Sequence, residues 1–222
     1  MSIARADNPN PPPLTLVAVV DEATALIEDE GFDALTMRRL AKRLGVGPMT
    51  LYGQISSREE LLGAIADRYF EDIEVPATDG LAWQEVLTVV FRAVHRSLLA
   101  HSALSKILAV QHIDGIAFYR HVEVVLEALD ATGLDEREAV RCVDALTSYA
   151  MGFTQRKAEI RRRATVPEER LRRIRQLPAE EFPRVLRVAG PLVTWDVEDH
   201  FDHGLGLLIA GVERQVAAAA SG

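Results

Sequence analysis

Five basic side chains, Arg38, Arg39, Lys42, Arg43 and Arg58, lie between Thr36 and Arg58 with no acidic residue among them. The 222-residue chain has a formal charge of −8, so everything outside that window sums to −13. Such a window can meet phosphates, because the ionic part of nucleic-acid binding depends on where Lys and Arg sit, not on net charge. The same window holds Pro48, Met49, Thr50, Tyr52 and Gln54. Tyr52 and Gln54 can donate to phosphate oxygens. Thr50 offers a hydroxyl and a methyl group to a base edge, and Met49 offers apolar contact alone. The plain alternative is a solvated basic face on a structural helical hairpin.

Other chemistry finds little support. There is no Gly-rich phosphate loop, no HExxH, no GxSxG and no carboxylate pair that singles itself out, so no enzyme activity and no cofactor are expected. His200 and His203 stand i, i+3 beside Asp199 and Asp202. They read as the polar side of a helix rather than a metal site. His95 and His101 read as surface or satisfied helix-end residues. The lone Cys142 cannot form an internal disulfide and reads as a small core residue, which fits a reducing cytoplasm. No apolar run approaches membrane-spanning length. Residues 1–13 lack the apolar region of a secretory signal and, with four prolines, read as a flexible leader.

These side chains need elements to hold them, and the pattern from Leu14 onward is helical. Leu16, Val20, Ala23 and Ile27 form an amphipathic stripe that Gly31 can terminate. Thr36 can cap a short helix with Met37, Leu40, Ala41 and Leu44 inward, ending at Gly45. Gly47-Pro48 opens another short helix, and Ser57-Arg58-Glu59-Glu60 is a capping box for a fourth. Two short helices joined by a tight glycine turn are the helix-turn-helix pattern. In that pattern Leu40, Ala41, Leu44, Val46, Leu51 and Ile55 face inward, and the second helix is free to enter a major groove. Longer helices are predicted near 81–101, 103–111, 115–132, 136–162 and 197–219, with no convincing strand. The fold class is all-α: a flexible leader at 1–13, a DNA-binding domain at 14–75 (core 14–56, connecting helix 57–75) and a larger helical domain at 76–222.

The run from Ala23 through "LIEDEGFDALTMRRLAKRLGV", "TLY" and "SREELL" resembles the DNA-binding domain of the tetracycline-repressor (TetR) family. Later segments, "WQEVL", "TGLDEREA", "YAMGF" and "FDHGLGLLIAGVE", resemble the C-terminal domain of the tetracycline-repressor branch. The resemblance runs nearly end to end and is weakest between Ala164 and Val197. It implies DNA contacts at Arg38, Pro48, Met49, Thr50, Tyr52, Gln54 and Arg58, to which the local charge adds Arg39 and Lys42. Gln54, Arg58 and Pro48-Met49 depart from the usual residues, so the operator sequence does not carry over.

The resemblance also implies that the larger domain encloses an effector and forms a homodimer. The drug-contacting Asn of tetracycline repressors falls on Val90 and their magnesium-liganding His on Leu108. A Mg²⁺–tetracycline complex needs oxygen and nitrogen donors there, so a mainly apolar effector is expected instead. Candidate lining residues are Val90, Val94, Leu108, His112, Tyr119, Val122, Val125, Val143 and Thr147, with His112, Tyr119 and Thr147 as polar anchors. Apolar stripes of this kind are more often plain packing than pocket wall. Tyr149 and Phe153, with Phe201, Gly204, Leu205, Leu208 and Val212 on the last helix, suggest a four-helix dimer interface. The basic run 156–175 reads as a solvated linker or helix exit, with an anionic partner as the alternative.

The function expected is a ligand-responsive transcriptional repressor that binds double-stranded operator DNA as a homodimer in the cytoplasm, away from any membrane. The alternative is an all-α dimeric binding module for small molecules or proteins without specific DNA binding. A small all-α enzyme comes third.

Overall fold

The computed structural model describes residues 13–108, 110–111, 114–162, 167–194 and 196–220. Helix α1 (Leu16–Glu30) is followed by a 3-10 turn (Phe32–Ala34), α2 (Met37–Arg43), α3 (Pro48–Tyr52) and α4 (Arg58–Glu71). Then come α5 (Trp83–Ala100), α6 (Ser102–Leu108), α7 (Ile116–Asp130) and α8 (Glu136–Arg162). The chain closes with α9 (Pro167–Arg175), α10 (Pro183–Arg187) and α11 (Val197–Ala219), and no strand occurs among the described residues.

Local chemistry sets these boundaries. Thr15 and Thr36 accept from the backbone N–H groups of Ala18 and Arg39, each at 3.2 Å, and so start α1 and α2. Gly31 (φ 89°) and Gly45 (φ 68°) end them in the left-handed region that an L side chain resists. At α4, Ser57 accepts from Glu60 N–H at 3.0 Å, as the capping box requires. The reciprocal arm shifts by one residue, because the Glu60 carboxylate takes the N–H of Ser56 at 2.8 Å instead of that of Ser57.

Two apolar clusters form the interior. The first joins α1, α2, α3 and α4 through Leu26, Leu40, Leu51, Ile55 and Ile65, and continues into Leu98, Leu104 and Ala117 of α5, α6 and α7. The second unites α5, α7, α8 and α11 around Val90, Leu129, Leu146 and Phe201. Helices α5 and α7 contribute to both clusters, whereas α4 lies in the first and packs against α1, α6 and α7.

The inward stripe of α8 is Ala139, Cys142, Leu146 and Ala150, and Val140 is exposed. Some expectations need correction. Leu16 is also exposed, and Val19 and Leu26 complete the buried face of α1. Helices α9 and α10 lie between 164 and 197, where no helix is predicted. Helix α9 has Leu171 and Ile174 as its apolar residues among Arg and Glu and buries none of them, so it has no stripe to detect. The leader, apart from Pro13, lies outside the described residues.

Candidate nucleic-acid interface and the cavity behind it

Helix α3 begins at Pro48, whose fixed φ suits the first helical position and whose missing N–H costs nothing there. Leu51, fully buried, and Ile55 just after the helix pin it to the first cluster. Pro48, Thr50 and Gln54 are exposed, as are Met49 (83 %) and Tyr52 (46 %). A one-turn-and-a-half helix held by one face with its other face bare can enter a groove as a rigid probe. Arg58, at the start of α4, lies over the Phe32 ring with 5.4 Å from its Cζ to the centroid. That contact orients the guanidinium without neutralising it.

The five cations do not act alike. Arg43 bonds Glu22 at 2.5 Å and Asp29 at 3.0 Å, and these carboxylate hydrogen bonds raise its pKa. Arg39 bonds Glu30. Both guanidiniums are thus tied to the acidic flank of α1, and their expected contribution to a free positive field is reduced. Arg38 and Lys42 are exposed and pair with no carboxylate among the described residues. The sequence window contains no acid because the neutralising acids sit a helix earlier.

Behind α4 lies an apolar cavity of ≈ 20 Å³, room for about one water molecule. Its walls include Val90, Val94, Val122, Val125, Val143 and Thr147, six of the nine expected lining residues. Three others do not join them. Leu108 packs against the first cluster instead. Tyr119 is 52 % exposed on the outer side of α7, so it cannot anchor a ligand within. His112 lies outside the described residues. Sequence reasoning missed Phe70, Phe91, Phe118 and His121, which with Ala150 and Met151 complete the wall. His121 follows Tyr119 by two positions, which on a helix means an almost opposite face.

The cavity and α4 are coupled by more than Phe70. Asp67 Oδ1 accepts from the backbone N–H of Ala117 at 2.8 Å and of Phe118 at 3.2 Å, and so caps α7 from a neighbouring helix. A Cβ at Gly115 would stand 2.1 Å from that oxygen, which accounts for the glycine. Lys106 of α6 reaches Asp33 in the 3-10 turn at 3.5 Å, a second bond across the same divide. Tyr69 is buried there, and its hydroxyl pKa is pushed up to about 12, mainly by burial.

His95 overturns its surface reading. It is 0 % exposed and its ring stacks on Phe201 with centroids 3.8 Å apart. Its Nδ1 lies 2.6 Å from Thr154 Oγ1, whose own proton goes to Ala150 O at 2.7 Å. Nδ1 therefore donates, and burial holds the imidazole neutral with a pKa lowered to about 4. The cause is its place among Phe91, Val94 and Leu98 on the buried side of α5.

The expected dimer residues divide. Phe201, Leu205 and Val212 are buried in the chain's own core, so they cannot be what a partner covers. Gly204 serves an internal contact as well. A Cβ there would meet the Tyr149 hydroxyl at 2.1 Å, and that hydroxyl donates to Phe201 O at 3.0 Å. Tyr149, Phe153 and Leu208 are half-buried. Outward lie Ala145, Ser148 and Gly152 of α8, with Gly206 and Leu207 of α11, the last 62 % exposed. Arg92 fixes α11 to α5 by two bonds to Asp202, at 2.7 and 2.8 Å. Among the described residues no three His, Cys, Asp or Glu side chains are grouped so as to hold a metal ion, and no helix is long and apolar enough to cross a membrane.

Known proteins bear directly on this arrangement. Residues 19–65 match the model described as bacterial regulatory proteins, tetR family, and residues 75–216 match the tetracyclin repressor-like C-terminal domain. The HTH-type transcriptional repressor DrrR1 of Streptomyces coeruleorubidus is 30 % identical over 221 residues, covering 93 % of this chain and 80 % of its own. The crystal structure of the Streptomyces coelicolor TetR family protein ActR with actinorhodin superposes with a TM-score of 0.84 at 29 % identity, covering 92 % of this chain and 99 % of that one. The structure of BioQ with its double-stranded DNA operator gives a TM-score of 0.63 at 26 % identity, covering 89 % and 97 %.

Proposed function

Because this chain belongs to the tetracycline-repressor family, we propose that it is a ligand-responsive transcriptional repressor, released from a pseudo-palindromic operator when a mainly apolar small molecule enters the cavity behind α4. The observation that carries this reading is α3: pinned inward by Leu51 and Ile55, bare along Pro48, Met49, Thr50, Tyr52 and Gln54, and flanked by the exposed Arg38 and Lys42, which pair with no carboxylate among the described residues. Thr50 and Met49 meet base edges, while Tyr52, Gln54, Arg58, Arg38 and Lys42 meet phosphates. Arg39 contributes once its pairing with Glu30 exchanges for a phosphate. The division of labour follows the chain, with 14–75 as the DNA-binding unit and 76–222 as the effector and dimerisation unit. A homodimer formed through the outer faces of α8 and α11 presents two α3 helices to two half-sites. The protein works in the cytoplasm and carries out no catalysis.

Release follows from the tightness of the cavity. A space of ≈ 20 Å³ holds no drug-sized molecule, so a ligand must part its walls, one of which is Phe70 of α4. The ligand thereby favours a conformer in which the two α3 helices are wrongly spaced. Such differential affinity is what a shift of population requires. The apolar lining argues against Mg²⁺-dependent tetracycline binding. Titration of the protein with tetracycline and Mg²⁺ is expected to give no sub-micromolar complex.

The decisive experiment selects duplexes from a random pool with the purified protein and measures their binding against salt. The expected result is a palindromic consensus bound at nanomolar concentration with strong salt dependence, abolished by R38E/K42E. Weak, sequence-indifferent binding overturns the proposal and leaves a dimeric binding module.

A further inference from the structure

Besides Thr147, one polar side chain stands on the otherwise apolar cavity wall. His121 Nδ1 lies 2.8 Å from the carbonyl oxygen of Ala117, one turn earlier in α7. A carbonyl only accepts, so Nδ1 carries the ring proton and the neutral imidazole presents a bare lone pair at Nε2. That Nε2 is buried and has no hydrogen-bond partner among the described residues. A buried acceptor left unmatched weakens the fold, and native interiors rarely keep one without a reason.

The walls around it define what could match it. Phe70 meets Phe118 edge-on at 5.4 Å and 76°, and meets His121 at 5.7 Å and 65°. Phe91 lines the same space, and its remaining boundary is mostly valine. Aromatic edges and faces of this kind suit a flat ring system. Among the described residues no Lys or Arg lines the cavity, so a carboxylate or phosphate would be desolvated and would face a lone pair. No described Asp or Glu lines it either, so an ammonium group would be buried without a counter-charge. A neutral donor on an aromatic frame satisfies every wall at once.

We propose that the effector is a flat aromatic molecule carrying a neutral hydroxyl donor, of the phenol or naphthol class, and that His121 Nε2 accepts its hydrogen bond. This rests on the cavity being the effector site of a DNA-binding regulator. It makes His121 the residue that selects the ligand's polar group, while Phe70 and Phe118 read its ring. Because His121 and Phe118 share α7 with the Asp67-capped terminus, the same ligand loads the contact between α4 and α7.

The test uses 2-naphthol and naphthalene as a matched pair, with binding to the full-length protein measured by equilibrium dialysis. Wild type is expected to bind 2-naphthol at least about tenfold more tightly than naphthalene, the scale of one hydrogen bond to a buried acceptor. His121→Phe is expected to keep naphthalene binding and lose the preference. Nitrogen-15 spectra of the ligand-free wild type, which need no variant, are expected to show a protonated Nδ1 and a bare Nε2. The Nε2 signal should move on adding 2-naphthol and stay when naphthalene is added. Equal affinities, failure of both compounds to bind, a preference that survives in His121→Phe, or a proton on Nε2 would each overturn the inference. Binding of the selected operator duplex is measured on the same preparation. If operator binding stands and the preference fails, the ligand class alone falls. If operator binding is absent as well, the regulator reading falls with it.

Discussion

Stacked on Phe201 and held neutral, His95 makes the stability of the fold depend on acidity in a window set by its two states. Its folded pKa is about 4, against an ordinary value of 6.5. Above 6.5 neither state is protonated and stability is full. As the pH falls toward 4, the unfolded chain takes up a proton that the folded chain refuses, so stability drops. Between pH 7 and pH 5 the loss is about 2 kcal/mol. Urea unfolding at the two pH values should show it in wild type and not in His95→Phe; parallel curves would count against it. At the proposed DNA-facing surface, Arg38 and Arg43 should behave as opposites. Arg38→Ala should weaken operator binding and lower the slope of log affinity against log salt by about one. Arg43→Ala, already bonded to Glu22 and Asp29, should leave that slope near its wild-type value and lower the thermal midpoint instead.

Among the elements, α4 and α7 are held together by one carboxylate and one missing side chain. Asp67 caps α7 at Ala117 and Phe118, and Gly115 leaves it room. Asp67→Ala should cost about 1 kcal/mol in denaturant unfolding, the usual size of a lost helix cap. Asp67→Asn, which keeps an oxygen at the same reach, should recover most of it. Gly115→Ala should lose about as much as Asp67→Ala, and the double variant should lose less than the two combined, because each disables the same contact. Strict additivity would separate the two residues. The same element explains a limit of pattern reading. Ser57, Leu61, Leu62 and Ile65 mark α4 as an amphipathic helix in the sequence, but nothing in its periodicity says that its last turn is the wall of a cavity.

For the whole molecule, charge and symmetry work together. An overall charge of −8 discourages indiscriminate attachment to nucleic acid, and the acids of α1 trim the basic window further. One copy then offers a modest positive surface, and two copies in fixed register supply the affinity. Leu207, exposed on α11 beside Gly206 and facing away from the chain's own core, is the apolar side chain that a second copy should cover. Leu207→Glu is expected to give a folded monomer by sedimentation, with unchanged helical content and operator binding weakened at least about a hundredfold. A dimer that persists would move the interface elsewhere.

Much of this was legible in the chain itself. Thr36, Gly31, Gly45, Pro48 and Ser57 fix helix ends through short-range chemistry, and apolar spacing fixes which faces turn inward. The helix-turn-helix and its bare residues Met49, Thr50, Tyr52 and Gln54 could therefore be named in advance, and the family resemblance pointed to the valines of the cavity. Tertiary structure decided what depends on residues distant in sequence. Arg39 and Arg43 lose their free charge to α1, His95 is buried by α8 and α11, Asp67 finds α7 fifty residues on, and His121 rather than Tyr119 faces the cavity. Phe201, Leu205 and Val212 turn into the chain's own core rather than toward a partner. Periodicity reports that a face is apolar; which surface covers it, and which charge meets which, is set only when the helices pack.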